Sequence, residues 1–432
     1  MKVAFATLGC RVNVYETEAM TEIFKKDGYE VVPFEEYADV YVVNTCTVTN
    51  MSDKKSRKII SKARKNNENA IIAAVGCYSQ IAPDKVAEVT SVDVVLGTRN
   101  KGDILYWINR AKEEQKQMVA VSDVMKNTEF EDLKIEEFTG KTRAFLKIQD
   151  GCNSFCSYCL IPYSRGAVCS KSPEMILEEI KVLASHGFKE VIFTGISISS
   201  YGKDLEGEWD LITILEKASE IEGIERIRIG SIGPRFFTDE IIERISKIEK
   251  MCPHYHLSLQ SGCDETLKRM NRNYTSKQYK DIVNKLRDKM PDLSITTDII
   301  VGFPGETEEE FLETFKFLQD LKLAKTHIFK YSERKGTKAS SMEGQINGKI
   351  KEERSKKLIA LNEKNEKEFI SSFVGKKLDV LYEQNNDELK QVTEGYTTNY
   401  IKVVLQENEA NRGEIISTEI TKVGNEFAFG EI

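Results

Sequence analysis

No apolar run in this 432-residue chain approaches the ~18 residues that a membrane-spanning helix needs, so no membrane partner is expected. The amino end, MKVAFATLGCRV, enters a strand-like pattern without the parts of a signal peptide, which predicts a cytoplasmic protein. Internal repeats and low-complexity tracts are missing as well. The four histidines form no catalytic constellation, and His254 and His256, alternating on a strand-like segment, read as structural. Nor is there an excess of positive charge. The 62 Lys and Arg against 69 Asp and Glu give a net charge of −7, which argues against a generic nucleic-acid coat but allows a local basic face. Nine cysteines, an odd number in a reducing compartment, do not read as a disulfide framework. They stand as core fillers, metal ligands or reactive thiols.

What is present is a multidomain α/β chain. An apolar share of 40% excludes a mostly disordered protein, and the length suits two to four domains. Short apolar runs (Val3 to Thr7, Val31 and Val32, Val40 to Val43, Ile71 to Val75, Val92 to Leu96) alternate with helical stretches such as Tyr15 to Lys26 and Ser52 to Lys65. That alternation predicts an open parallel α/β sheet domain over 1–124. Residues 125–140 are acidic, weakly apolar and closed by a glycine, as in a linker. A second series has strands at Ala144 to Ile148, Val191 to Thr194, Arg226 to Ile229, His254 to Leu259, Ile295 to Val301 and Thr326 to Phe329. With the charged helix Lys349 to Phe369, it predicts an incomplete (β/α)6 barrel domain over 141–370. Residues 371–432 hold strand runs Leu378 to Tyr382, Tyr400 to Leu405, Glu414 to Ile420 and Glu426 to Phe429 with polar turns, as in a small closed β-barrel.

The most specific signal is Gly151-Cys152-Asn153-Ser154-Phe155-Cys156-Ser157-Tyr158-Cys159, a C-x3-C-x2-C directly after the first strand of the second series. Active sites of such barrels gather on the loops after strand ends. Three thiolates in so short a loop can hold three irons of a 4Fe–4S cluster and leave the fourth open to substrate. A structural zinc would want a fourth ligand, and only Cys169 lies near in sequence, where it reads as a structural thiol. Inert core cysteines fit poorly beside the polar Asn153 and Ser157.

This spacing, with Tyr158 just before the third cysteine, resembles the radical S-adenosylmethionine (SAM) superfamily, in which the open iron chelates SAM and the cluster cleaves it to a 5′-deoxyadenosyl radical. The resemblance implies SAM-binding roles for Tyr158, Thr194 and Gly195 after the second strand, and Arg228 and Ser231 at the third. It implies the same for Gln260 at the fourth, Gly302 in the Val301-to-Glu306 turn at the fifth and Tyr331 after the sixth. The glycine-rich turn alone would read as no more than a tight turn.

Three further cysteines, Cys10, Cys46 and Cys77, lie 36 and 31 residues apart, yet each follows an apolar strand: VAFATLGC, VYVVNTC and AIIAAVGC. One such cysteine alone would read as a small buried hydrophobe. In an open parallel sheet the strand carboxyl ends converge on one edge, so three at equivalent positions can meet and hold a second 4Fe–4S cluster. Two open clusters and a small terminal barrel resemble the methylthiotransferases, with a TRAM domain as that barrel, over essentially the whole chain. The motifs TLGCRVNVYETEAM, RAFLKIQDGCNSFCSYCLIPYSRG and HLSLQSGCDETLKRMNRNYT look most like the branch acting on N6-threonylcarbamoyladenosine in tRNA.

That resemblance implies methylthiolation of carbon 2 of N6-threonylcarbamoyladenosine at tRNA position 37. It also implies two molecules of SAM in use, six catalytic cysteines and a shared cavity for both clusters. The sulfur and electron donors stay unidentified. The branches acting on isopentenyladenosine or on a ribosomal-protein aspartate typically differ after the first cysteine, where Arg11-Val12-Asn13 stands here. A non-catalytic iron–sulfur RNA-binding protein is the alternative of another class. The chain's end at Ile432 without a membrane tail suggests a bacterial-type enzyme. RNA contact by the basic runs Lys54 to Lys65 and Leu267 to Lys289 competes with their reading as solvated helix faces. The tail, at a net −5 over 371–432, would need a local patch around Lys376, Lys377, Tyr396, Tyr400 or Lys402.

Overall fold

The computed structural model describes residues 1–89, 92–126, 128–133, 135, 142–386, 392–405 and 410–432. Much of the expected linker 125–140, and parts of the turns expected at 385–387 and 408–413, lie outside these residues. Among those described, no helix is long and apolar enough to cross a membrane.

The first strands are β1 (Lys2–Thr7), β2 (Glu30–Val32), β3 (Val40–Thr45), β4 (Ile71–Gly76), β5 (Val94–Leu96) and β6 (Met118–Ala120). They form one parallel sheet in the order β2-β1-β3-β4-β5-β6. Strand β3 is buried along its whole length because helices cover both sheet faces, which is why its sequence is a continuous apolar run rather than an alternating one. Two apolar clusters, one on each face, make up this core. Helix α1 (Arg11–Lys26) follows β1, α2 (Asn50–Asn66) follows β3, and the short α3 (Cys77–Ile81) follows β4.

The second series is β7 (Arg143–Asp150), β8 (Cys169–Ser170), β9 (Glu190–Gly195), β10 (Arg226–Ile229), β11 (Ser231–Ile232), β12 (His254–Leu257), β13 (Ser294–Val301) and β14 (Lys325–Lys330). Strands β10 and β11 are one run broken at Gly230, and parallel bridges carry the sheet from β7 through β9, β10/β11, β12 and β13 to β14. The result is an open barrel of six parallel units, with β8 pairing antiparallel at one edge. Strand β7 alternates: Leu146 and Ile148 join the apolar core under the helices, while Lys147 turns the other way, toward α1 of the first domain. The 24-residue helix Gly348–Ser371 packs on β14. The remaining strands, β15 (Lys377–Asn386), β16 (Val392–Thr397), β17 (Lys402–Leu405), β18 (Ile415–Val423) and β19 (Ala428–Glu431), close in the order β15-β16-β17-β19-β18.

A buried ion network joins the first domain to the barrel. Glu16 of α1 lies 3.1 Å from Lys101 and 2.9 Å from Lys147 and is also paired with Arg165. Asp150 closes the ring, 2.7 Å from Lys147 and 3.2 Å from Arg165. Burial pushes the Glu16 carboxyl up, but Arg165, Lys101 and Lys147 outweigh it and hold it well below the ordinary carboxylate range. Burial opposes Asp150 in the same way, and Lys147, Arg165 and Arg99 hold it low. Because both carboxylates titrate lower folded than unfolded, their stabilising contribution is complete above the ordinary range and is lost as pH falls below about 4. Glu16→Gln leaves Lys101, Lys147 and Arg165 facing Asp150 alone and is expected to cost about 3–5 kcal/mol in urea unfolding at neutral pH. The deficit should shrink as the wild type is acidified, and an unchanged midpoint at pH 7 would contradict it.

Candidate active site

Strands β1, β3 and β4 are adjacent in the sheet, so Cys10, Cys46 and Cys77, at or just beyond their carboxyl ends, meet at one edge. Gly9 approaches so closely that a Cβ there would sit 2.9 Å from the Cys46 sulfur, and its φ of +101° suits only glycine. Gly76, before Cys77, is equally constrained: a Cβ would come within 2.5 Å of Asn44 Oδ1. Asn13 ties the trio's supports together, its Nδ2 donating to the Leu8 carbonyl at 2.7 Å and the Thr45 carbonyl at 3.1 Å. Its Oδ1 accepts from Arg165 Nη2 at 2.7 Å, and Arg165 Nε donates to Cys77 Sγ at 3.3 Å. Desolvation by the surrounding protein pushes the Cys10 and Cys46 thiols up, Cys77 adds to both, and Arg165 opposes the shift at Cys10, which stays open to the chamber.

Cys152, Cys156 and Cys159 lie on the loop between β7 and a short helical turn at Ile161–Arg165. Each sulfur faces an N–H donor: Ser154 N to Cys152 at 3.5 Å, Arg272 Nη1 to Cys156 at 3.2 Å, and Ile161 N to Cys159 at 3.4 Å. Burial, with Cys156 and Cys152 beside it, pushes the Cys159 thiol up to about 12. A cationic metal core reverses that penalty, and the N–H donors suit metal-bound thiolate sulfur. Neither trio draws its sulfurs within 4.8 Å of one another; among the described residues the His/Cys/Asp/Glu set that does so is His256, Asp298 and His327. That spread exceeds what one tetrahedral zinc spans. Cys169 is engaged elsewhere, accepting from Arg99 Nη1 at 2.6 Å.

The residues expected to hold SAM fall into separate groups. Thr194, Gly195 and Ser231 line a chamber of about 840 Å³ inside the barrel, which Cys10 and Arg11 also line. Tyr158 and Tyr331 instead flank Phe303, beside Gly302, in a closed aromatic cluster. The Gly302 N–H donates to Glu306 Oε2 at 2.7 Å, and Glu306 pairs with Arg354 of the long helix, so the glycine turn is braced from outside the barrel. Gln260 ends the β12 run with φ +77°, a backbone state rare for a side chain of its size and found at constrained sites. Arg228 is placed elsewhere than at a cofactor rim. Its side chain runs inward, pairs with Glu190 at 2.7 Å and donates to the Thr397 and Thr398 carbonyls of the terminal barrel, which leaves it fully buried and spent.

The two trios open onto neighbouring spaces. Cys156 lines a cleft of about 290 Å³ with Ser197, Arg235, Arg272 and Tyr274, while Cys10 lines the larger chamber. The segments running from Thr194 to Ser200 and from Gly230 to Phe236 contribute to both spaces. Residue patterns name Asn13 only within a branch motif and give no cluster or chamber role to Ser197, Arg272 or the His256–Asp298–His327 group. His256 Nε2 lies 3.3 Å from Asp298, and its Nδ1 is 2.9 Å from Thr296 Oγ1. A polar residue at matching positions of three neighbouring predicted strands was the available signal.

Residues 146–318 match the Radical SAM superfamily, and residues 2–97 match the Uncharacterized protein family UPF0004. In fold the chain is similar to the radical S-adenosylmethionine methyltransferase TsrM of Kitasatospora setae, with a TM-score of 0.60, 14% identity and coverage of 78% of this chain and 77% of that one. The three-cysteine loop at the mouth of an open six-unit barrel thus defines a radical SAM enzyme. The chain is 43% identical to the threonylcarbamoyladenosine tRNA methylthiotransferase MtaB of Bacillus subtilis (strain 168), over 99% of this chain and 96% of that protein. It is 37% identical to the tRNA-2-methylthio-N(6)-dimethylallyladenosine synthase of Clostridium tetani, over 96% and 93%. The chain belongs to the radical SAM methylthiotransferase family, which implies SAM and a 4Fe–4S cluster.

Arg272→Gln removes a charged donor from the Cys156 sulfur. It is expected to weaken retention of the barrel cluster about 10- to 100-fold and to lower its reduction potential, read by iron loss to a chelator and by EPR redox titration. An unshifted potential with full iron would show that the contact does not tune the cluster.

Proposed function

We propose that this chain converts N6-threonylcarbamoyladenosine at position 37 of tRNA into its 2-methylthio derivative, using SAM and two 4Fe–4S clusters in the cytoplasm. Residues 1–124, 141–370 and 371–432 serve as its methylthiotransferase, radical SAM and TRAM-type domains. Cys152, Cys156 and Cys159 would hold one cluster and Cys10, Cys46 and Cys77 the other. When bound, these groups supply the radical that removes an unactivated hydrogen from adenine carbon 2, and the sulfur site from which the methylthio group comes. A protein base could not remove that hydrogen, so the chain's own task is to position, tune and exclude quenching groups.

The donor sets suit those roles. Around the first trio, Glu16 and Asp150 face Lys101, Lys147 and Arg165, leaving a surplus cation against the Cys77 sulfur where a thiolate-bound cluster would balance it. The observation that carries the substrate choice is the chamber wall. Beside apolar Val12 and Phe329 it carries Arg11, His256, Thr296, Asp298, Lys325 and His327, charged and hydrogen-bonding partners that a threonylcarbamoyl group can use and a dimethylallyl one cannot. Tyr396 and Tyr400 line this chamber too and are withdrawn from any outer RNA patch. For RNA docking, α2 keeps Lys54, Lys55, Arg57, Lys58, Lys62 and Lys65 exposed.

Cells lacking the gene should lose 2-methylthio-N6-threonylcarbamoyladenosine from tRNA and accumulate its parent, as read by nucleoside mass spectrometry. Loss of the isopentenyladenosine product instead would refute the substrate choice. Anaerobically reconstituted protein should carry about eight irons, falling to about four when Cys10, Cys46 and Cys77 are replaced by Ala. An undiminished count would remove the second cluster.

A further inference from the structure

Among the described residues, the cations that line the chamber or sit behind Tyr400 are balanced with one exception. Arg143 is held by Glu383, and Arg228 by Glu190 at 2.7 Å. Lys325 lies 2.9 Å from Glu366 and 3.3 Å from Glu426, and Lys402 lies 2.7 Å from Glu394. Arg11 has no carboxylate within ion-pair distance among the described residues. Its Nη2 donates to Tyr400 Oη at 3.2 Å, and its guanidinium lies over the Phe145 ring at 5.6 Å and the Tyr400 ring at 5.9 Å. Tyr400 is itself fixed, stacked between His254 at 4.5 Å and Tyr396 at 5.0 Å. Aromatic faces and one phenol orient a guanidinium without supplying a formal counter-charge, and among the described residues its other guanidinium donors have no hydrogen-bond partner.

A partly desolvated cation on the wall of a substrate-sized space is a costly arrangement unless an anion completes it. The position is also apt: Arg11 follows Cys10 directly, so whatever it grips is held beside the first trio. We infer that Arg11 is the anion receptor of this chamber and pairs, bidentately, with the carboxylate of the threonylcarbamoyl substituent. The inference rests on the substrate proposed above. Of the two N6 groups named for the relatives, threonylcarbamoyl ends in a carboxylate and dimethylallyl carries no charge. An arginine fork matches a carboxylate through two parallel N–H donors, which fixes the orientation of the base as well as its affinity. The grip would present adenine carbon 2 at one defined place between the trios.

The test uses the two-cluster holoenzyme with dithionite, SAM and anticodon stem-loops bearing either threonylcarbamoyladenosine or its carboxamide analogue. Wild type should prefer the acid over the amide by about 100-fold in kcat/KM, chiefly through KM, as expected for loss of a charge-assisted hydrogen-bond pair. Arg11→Gln should lose that preference while keeping wild-type iron content, and Arg11→Lys, which keeps the charge without the fork, should recover part of it. If Arg11→Gln slows both substrates by the same factor, the side chain serves the fold or balances a cluster's charge, and the inference falls. Equal use of acid and amide by wild type would overturn it as well. Methylthiolation by wild type of a dimethylallyladenosine stem-loop, with neither threonylcarbamoyl substrate turned over, would overturn the substrate proposal and this inference together.

Discussion

The contact between Glu16 and Arg165 governs the arrangement of this protein. Glu16 belongs to the helix that begins directly after Cys10, and Arg165 ends the helical turn that follows the barrel's three-cysteine loop. One ion pair therefore links the segments that carry both sulfur trios. Its members are fully buried, so each charge depends on the others for solvation, and the first domain cannot slide along the barrel without stranding a cation. A second link works on the far side. Arg334, after β14, lies 2.8 Å from Asp53 and donates to Thr47 Oγ1 at 2.6 Å, next to Cys46. Such networks cost solvation energy, and their gain is register: two domains are fixed in one relative position.

The terminal barrel acts as the chamber's floor. Its loop 396–400 supplies backbone carbonyls to Arg226 and Arg228 and a stacked tyrosine pair to the interior of the larger barrel. Arg11, Arg143 and Arg228 crowd Tyr400, and although burial works the other way they hold its phenol below the usual range. This inward use explains how a strongly acidic tail coexists with an RNA-directed enzyme. Among the described residues of the tail, Asp379, Glu414, Glu419 and Glu431 are exposed, while Tyr396 and Tyr400 face the site.

Much of this was legible from residue order. The six barrel strands were visible because parallel strands covered by helices read as short apolar runs, and the convergence of Cys10, Cys46 and Cys77 followed from the rule that parallel strand ends share an edge. Strand β6 escaped because it spans only Met118–Ala120, and β16 because Glu394 and Gly395 interrupt its apolar pattern. The place of Arg228 near a strand end points to the cofactor rim. The side chain's length and inward direction carry its charge the other way, to Glu190. Lys147 and Asp150 were the overlooked clue. Charges in a strand as apolar as AFLKIQD can be buried only against other charges, and the partners lay more than a hundred residues earlier in Glu16 and nearby in Arg165. Sequence order gave no sign of that pairing, because it depends on how two domains dock.

Docking brings the segments that carry the two sulfur trios together through Arg165, and pulsed EPR on the anaerobic protein with both clusters reduced tests this most directly. The account predicts a dipolar interaction between the two paramagnets that disappears when Cys10, Cys46 and Cys77 are replaced. Two signals that add without any interaction, in a sample carrying both clusters in full, would contradict it.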